Sequence, residues 1–143
     1  MARWLTVLLT IAGVGVCLAG CGDEANVKGY LEPLRVVERT EFYLKGLRDD
    51  NLPRPDFSAG RDITVSQCRL LIQTSLPTSI NTDVKDASIR QQAISKVEQL
   101  QTVFEEEVWR AALASPVERD KAIAGCGQCL AIVDEIGKLL GGK

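Results

Sequence analysis

The chain of 143 residues contains no histidine. That excludes Ser-His and Cys-His nucleophile pairs and any imidazole general base. It also excludes zinc sites built with histidine and haem held by a histidine axial ligand. The single methionine is Met1, which removes a methionine-lined copper site. Basic tracts are missing too. The 17 Lys and Arg against 19 Asp and Glu leave a formal charge of −2, a balance that argues against nucleic acid. The same balance argues against electrostatic docking on anionic lipid. No glycine-rich phosphate loop, calcium loop, internal repeat or low-complexity tract occurs. With most common enzyme designs gone and no cofactor or metal site indicated, the expectation is a protein that is not an enzyme.

The apolar run from Leu5 to Leu18, behind the lone cation Arg3, falls short of the ~20 apolar residues of a spanning helix. Gly13, Gly15 and Gly20 make it a poor helix as well. A short positive start, an apolar core and small residues before a cut are the layout of an export signal. Its end, Leu18-Ala19-Gly20-Cys21, resembles the lipobox of bacterial lipoproteins. The resemblance implies cleavage before Cys21 once its thiol carries diacylglycerol, so that residues 1–20 are a signal peptide and Cys17 is lost with it. Cys21 would then hold the chain at a membrane of the cell envelope. Several acyl chains on one residue anchor stably, whereas one chain binds only marginally. Gly22, standing where an aspartate would favour inner-membrane retention, leans the sorting towards the outer membrane in a Gram-negative cell. Residues 21–25 form a tether spanning at most ~20 Å, which keeps residues 26–143 against their own bilayer. Asp23 and Glu24 suit the N-terminal end of a first helix.

The mature part is one domain's worth of chain. Its pattern predicts an all-α fold, an antiparallel four-helix bundle with a long connection between helices one and two. Leu31, Leu34, Val37, Leu44 and Leu47 mark a helix from Asn26 or Val27 to about Arg48, with Glu41–Lys45 as a surface pair. Pro53, Pro55 and Gly60 break the pattern from Asp49 to Asp62, a long connection for a bundle, with Phe57 as its pin onto the core. Thr64 to Leu76 suits a helix capped by Thr64 and Gln67, although Cys68, Leu70, Ile72 and Leu76 also alternate as in a strand; Pro77 is expected to end it. Asn81, Thr82 or Asp83 would cap helix three, which runs to about Ala114. Its buried stripe is Ile94, Val97, Leu100, Phe104, Val108, Ala111 and Ala112, and Asp86–Arg90 supports its surface. Ser115-Pro116-Val117-Glu118 reads as a capping box with proline at the first helical position. Helix four then runs from Pro116 through Ile123, Cys126, Leu130, Val133, Ile136 and Leu140 to a stop at Gly141-Gly142.

Chemistry is concentrated in Cys126-Gly127-Gln128-Cys129 and the distant Cys68. In an oxidising compartment a disulfide from Cys68 to Cys126 or Cys129 would staple helix two to helix four, worth ~4 kcal/mol in the chain-entropy model. The sharper alternative is thiol-disulfide exchange or soft-metal handling through Cys126 and Cys129, although neither stands at a helix N-terminus beside a cation that would lower its pKa. The CxxC and the bundle outline also resemble the cytochromes c′. This chain has Leu130 where their haem-ligating histidine stands, so haem binding does not carry over. Glu105-Glu106-Glu107 cannot converge, because consecutive helical side chains point ~100° apart, and reads as a solvated face. Arg35 and Arg39 beside Glu38 read as a surface network. Trp109 and Phe104, at i,i+5, read as core and edge packing; an exposed Trp109 would be the expected hot spot for a protein partner. Carriage of a small apolar ligand would require an apolar cavity between the helices.

Overall fold

The computed structural model describes residues 30–49 and 63–141. The signal segment, Cys21, the tether, the start of the first helix, the connection with Pro53, Pro55, Phe57 and Gly60, and Gly142 lie outside the described residues.

All regular structure among the described residues is helical, in four helices. The first, α1, is Leu31–Asp49. The second, α2, is one continuous helix made of Ile63–Leu70, a π-helical turn Leu71–Ser75 and Leu76–Asp83. The third, α3, has the same plan: Ala87–Val103, a π-helical stretch Phe104–Trp109 and Arg110–Leu113. The last, α4, is Arg119–Leu139. The segment that could have been read as a strand is helix.

Helix α1 packs mainly on α4 and α2, and α3 packs mainly on α4 and α2. Between them lies one continuous core. It takes Leu44 and Leu47 from α1, Cys68, Ile72, Leu76 and Ile80 from α2, Leu100, Phe104 and Val108 from α3, and Cys126, Cys129 and Ile136 from α4. Burying each large apolar side chain contributes ~1.5–3 kcal/mol, so this shared interior and not helix propensity holds the fold. The stripes expected for α1 and α3 are largely those buried. Leu31 departs from them, being 45% exposed. Thr40 is the one buried polar residue among those described, and its hydroxyl donates to the Val36 carbonyl at 2.7 Å.

Pro77 does not end α2. An ordinary helix would pair the Leu76 N–H with the Ile72 carbonyl, but here it reaches one residue further back, to Leu71. The proline ring, which would strike the carbonyl four residues back in a regular helix, sits just after this widened turn. Ile72 would in π geometry accept from residue 77, which has no N–H. Its carbonyl instead accepts from Nε2 of Gln101 on α3, at 3.2 Å. A side chain from the neighbouring helix thus replaces the backbone bond that proline removes, and the helix continues to Asp83.

The caps also differ from expectation. Asn81, Thr82 and Asp83 are the last residues of α2, and the cap of α3 is Asp86, whose Oδ1 accepts from the Ile89 N–H at 2.9 Å. Arg90 therefore does not pair with Asp86; its Nη1 donates to the Val84 carbonyl at 2.9 Å. Helix α3 ends at Leu113, close to the expected Ala114. At α4 the capping box does not form. The Ser115–Pro116 peptide is cis, Glu118 occupies the cap without a side-chain capping bond, and its N–H donates back to the Ala111 carbonyl at 3.0 Å. This tertiary bond closes the turn onto the end of α3, and α4 begins at Arg119, later than expected. Its other end is as expected: Leu140 caps it, and Gly141 takes φ +83°, where glycine alone is unstrained.

Candidate functional site

Cys126 and Cys129 are free thiols, and both they and Cys68 are fully buried. The staple between Cys68 and Cys126 or Cys129 is not formed. Cys68 lies on α2, whose main neighbours are α1 and α3, whereas the other two thiols lie on α4. Burial pushes the Cys126 thiol up to about 11, with Arg48 pulling weakly the other way. Cys129 is pushed up to about 12, chiefly by burial and further by Cys126. Thiols so raised stay protonated at neutral pH and are poor nucleophiles, since the thiolate is the reactive species. Among the described residues no three His, Cys, Asp or Glu side chains converge as a metal site. The cysteines act as small apolar core residues.

The surface offers more. Arg69, one residue before the π turn of α2 is entered through Leu70, reaches across to α3. Its Nε donates to Glu105 Oε1 at 2.7 Å and its Nη2 to Oε2 at 3.3 Å. Gln73, inside that π turn, donates to the same Oε1 at 3.2 Å. The guanidinium also lies 4.3 Å from the centre of the Trp109 ring. So Gln73 from one π-helical stretch and Glu105 and Trp109 from the other join Arg69 in one cluster. The cluster lines a groove of about 680 Å³ together with Ser66, Leu70 and Thr74. Leu70 at its rim is 52% exposed. The ion pair is partly solvated and worth no more than ~1 kcal/mol, and the cation–π contact adds ~0.5–1 kcal/mol. These energies are small for folding. The cluster's effect is to hold an indole and a guanidinium in fixed positions at the surface.

The acidic triplet divides as consecutive helical positions must. Glu105 turns to α2, Glu107 lies 4.0 Å from Lys121 of α4, and Glu106 is exposed. The reading of all three as one solvated face therefore holds only for Glu106. Arg35 pairs with Glu32 at the surface, Glu41–Lys45 forms as expected, and Asp134 pairs with Lys138 on α4.

Gly125 fixes how α4 meets the α3 π stretch. A Cβ there would lie 2.8 Å from Glu107 Cβ, 2.9 Å from Val108 Cγ2 and 3.0 Å from the Glu107 carbonyl carbon. Helix α4 supports from behind the same stretch that carries Glu105 and Trp109 on its outer side. Gly127, by contrast, has open space around it. A second groove, between α3 and α4, is lined by Gln91, Gln92, Ser95, Lys96, Glu135, Lys138 and Leu139. It opens to solvent, unlike the enclosed cavity that a carrier of apolar ligands needs.

Trp109 is half-buried and packs against the core, the edge packing its spacing suggested; Arg69, Leu70 and Gln73 were not singled out by the sequence as contacts. No family model matches the chain, and no curated protein or solved structure shows significant similarity to it.

Proposed function

We propose that this chain is a lipid-anchored envelope lipoprotein, held by acyl chains on Cys21, that works without catalysis by binding a protein partner. Its helices would form an antiparallel up-down bundle, with the long connection between α1 and α2 crossing one end. The observation that carries the binding reading is the groove at the two adjacent π-helical stretches, where Trp109, Arg69 and exposed Leu70 are presented together. π turns interrupt helices at functional sites more often than elsewhere, and tryptophan and arginine are the side chains enriched in binding hot spots. The alternative, thiol exchange or soft-metal handling through Cys126 and Cys129, is disfavoured by their burial and raised pKa values. An outer-membrane location is the reading that Gly22 favours.

The test places a photo-crosslinking side chain at exposed Thr74 in cells making the full chain. A discrete adduct that disappears in both Trp109→Ala and Leu70→Asp, while Phe42→Ser keeps it, is the expected result. An adduct insensitive to the groove variants, or none at all, overturns the groove as the binding site. The anchor is tested separately: blocking the lipoprotein signal peptidase with globomycin should leave a heavier, uncut chain, and an unchanged mass overturns it.

A further inference from the structure

Among the described residues three large apolar side chains are exposed: Leu31 at 45%, Phe42 at 73% and Leu70. Leu70 borders the groove already described. The other two lie on α1, eleven residues apart, which at 3.6 residues per turn places them within about 20° around the axis. They form one outward line about 16 Å long. Arg35, Glu38 and Arg39 are exposed between them, with Arg35 paired to Glu32. None of the described helices is long and apolar enough to cross a membrane.

We infer that this line is the face by which the domain rests on the bilayer that holds its own lipid anchor, with Leu31 and Phe42 entering the interface. The inference rests on the lipoprotein reading. The chain from Cys21 to Leu31 reaches at most about 35 Å fully extended, so α1 is the element delivered first to the surface. An acyl anchor supplies the attraction, so a docking face needs only a few apolar side chains beside cations whose stems lie along the interface and whose heads reach lipid phosphates. Phe42 and Leu31 with Arg35 and Arg39 meet that description. The groove belongs to α2 and α3, and α3 is the helix with which α1 shares no extensive contact. No residue of α1 lines the groove, so a domain resting on α1 leaves that lining free for a partner.

The experiment attaches an environment-sensitive fluorophore to Phe42→Cys, and as control to Ala131→Cys on the exposed side of α4, in the lipidated full chain. Each is reconstituted into phosphatidylcholine vesicles with or without bromine on the upper acyl chain. The expected result is a blue-shifted label at position 42 that loses about half its intensity to bromine, as a group ~5–10 Å into the interface should, and an unquenched label at 131. A chain that carries acyl mass and floats with the vesicles but leaves label 42 in water overturns the docking face and spares the anchor. A label at 42 shielded from water yet unquenched also overturns it, pointing to a protein covering such as the 50–62 connection or a second copy. A chain without acyl mass overturns the anchor and the docking face together.

Discussion

Replacing Gly125 by alanine tests whether α4 truly presses against the π stretch of α3. Two effects oppose. Alanine in a helix interior gains ~0.8–1.0 kcal/mol over glycine. Against this, the new methyl would sit 2.8 Å from Glu107 Cβ and 3.0 Å from the Glu107 carbonyl carbon, and overpacking of a close contact costs ~1–3 kcal/mol. Neither of those atoms can swing aside as the end of a flexible side chain could. The cost therefore falls in the upper part of its range, and Gly125→Ala should destabilise by a net ~1–2 kcal/mol. Helix α4 supplies its own controls. Gly127→Ala meets nothing within 4 Å and should stabilise by up to ~1 kcal/mol. Gly137→Ala would place its methyl 3.5 Å from Val37 Cγ1, an ordinary contact, and should be neutral or mildly stabilising. Thermal unfolding of the detergent-solubilised chain, followed by circular dichroism, reads all three at roughly 4 °C per kcal/mol. Because Glu105 and Trp109 share the stretch that Gly125 supports, the same variant should also weaken the Thr74 adduct. If Gly125→Ala rises in stability together with Gly127→Ala, the close approach is not real and the support argued for the groove goes with it.

Two further outcomes follow from the core and the caps. Thiols ordinarily ionise near 9.0, while Cys126 and Cys129 are held to about 11 and about 12. Above pH 9 the unfolded chain then releases protons that the native chain keeps, so stability is full below that pH and falls as pH rises, by at most ~1.4 kcal/mol per unit per thiol. Urea midpoints between pH 8 and 10.5 should show this decline, and the double variant Cys126→Ala, Cys129→Ala should flatten it; an equal slope in that variant would refute the assignment. Asp86→Ala, which removes the bond to the Ile89 N–H, should cost ~1 kcal/mol, with Asp86→Ser recovering most of it. A urea midpoint unmoved by Asp86→Ala would mean that the Arg90 bond to Val84 alone sets the start of α3.

What the sequence made legible was the periodic part of the fold, because burial on one face of a helix must repeat with the helical turn. Val97, Leu100, Phe104 and Val108 were readable for that reason, as was the surface pair Glu41–Lys45, whereas the Asp86–Arg90 pair gave way to the cap. Local terminators failed where a contact from elsewhere in the chain outweighed them. Proline at 77 is a strong stop only if nothing replaces its missing donor, and Gln101 supplies one from α3. The capping box at Ser115 is a good local solution, but Glu118 gains its bond from Ala111 instead. The π turns did leave a trace. Cys68, Ile72, Leu76, Ile80 and Val84 are buried at steps of four, and four residues turn a regular helix by ~400°. Such a stripe drifts ~40° at each step and would wind off the core, unless the backbone takes an extra residue into one turn. The buried run Leu100, Phe104, Val108 and Ala112 on α3 carries the same four-residue steps through its own π stretch. On these two helices the four-residue steps run through the π turns, near which Arg69, Gln73, Glu105 and Trp109 meet. Their partnership across more than thirty positions depends on α2 and α3 being neighbours, which no local spacing encodes.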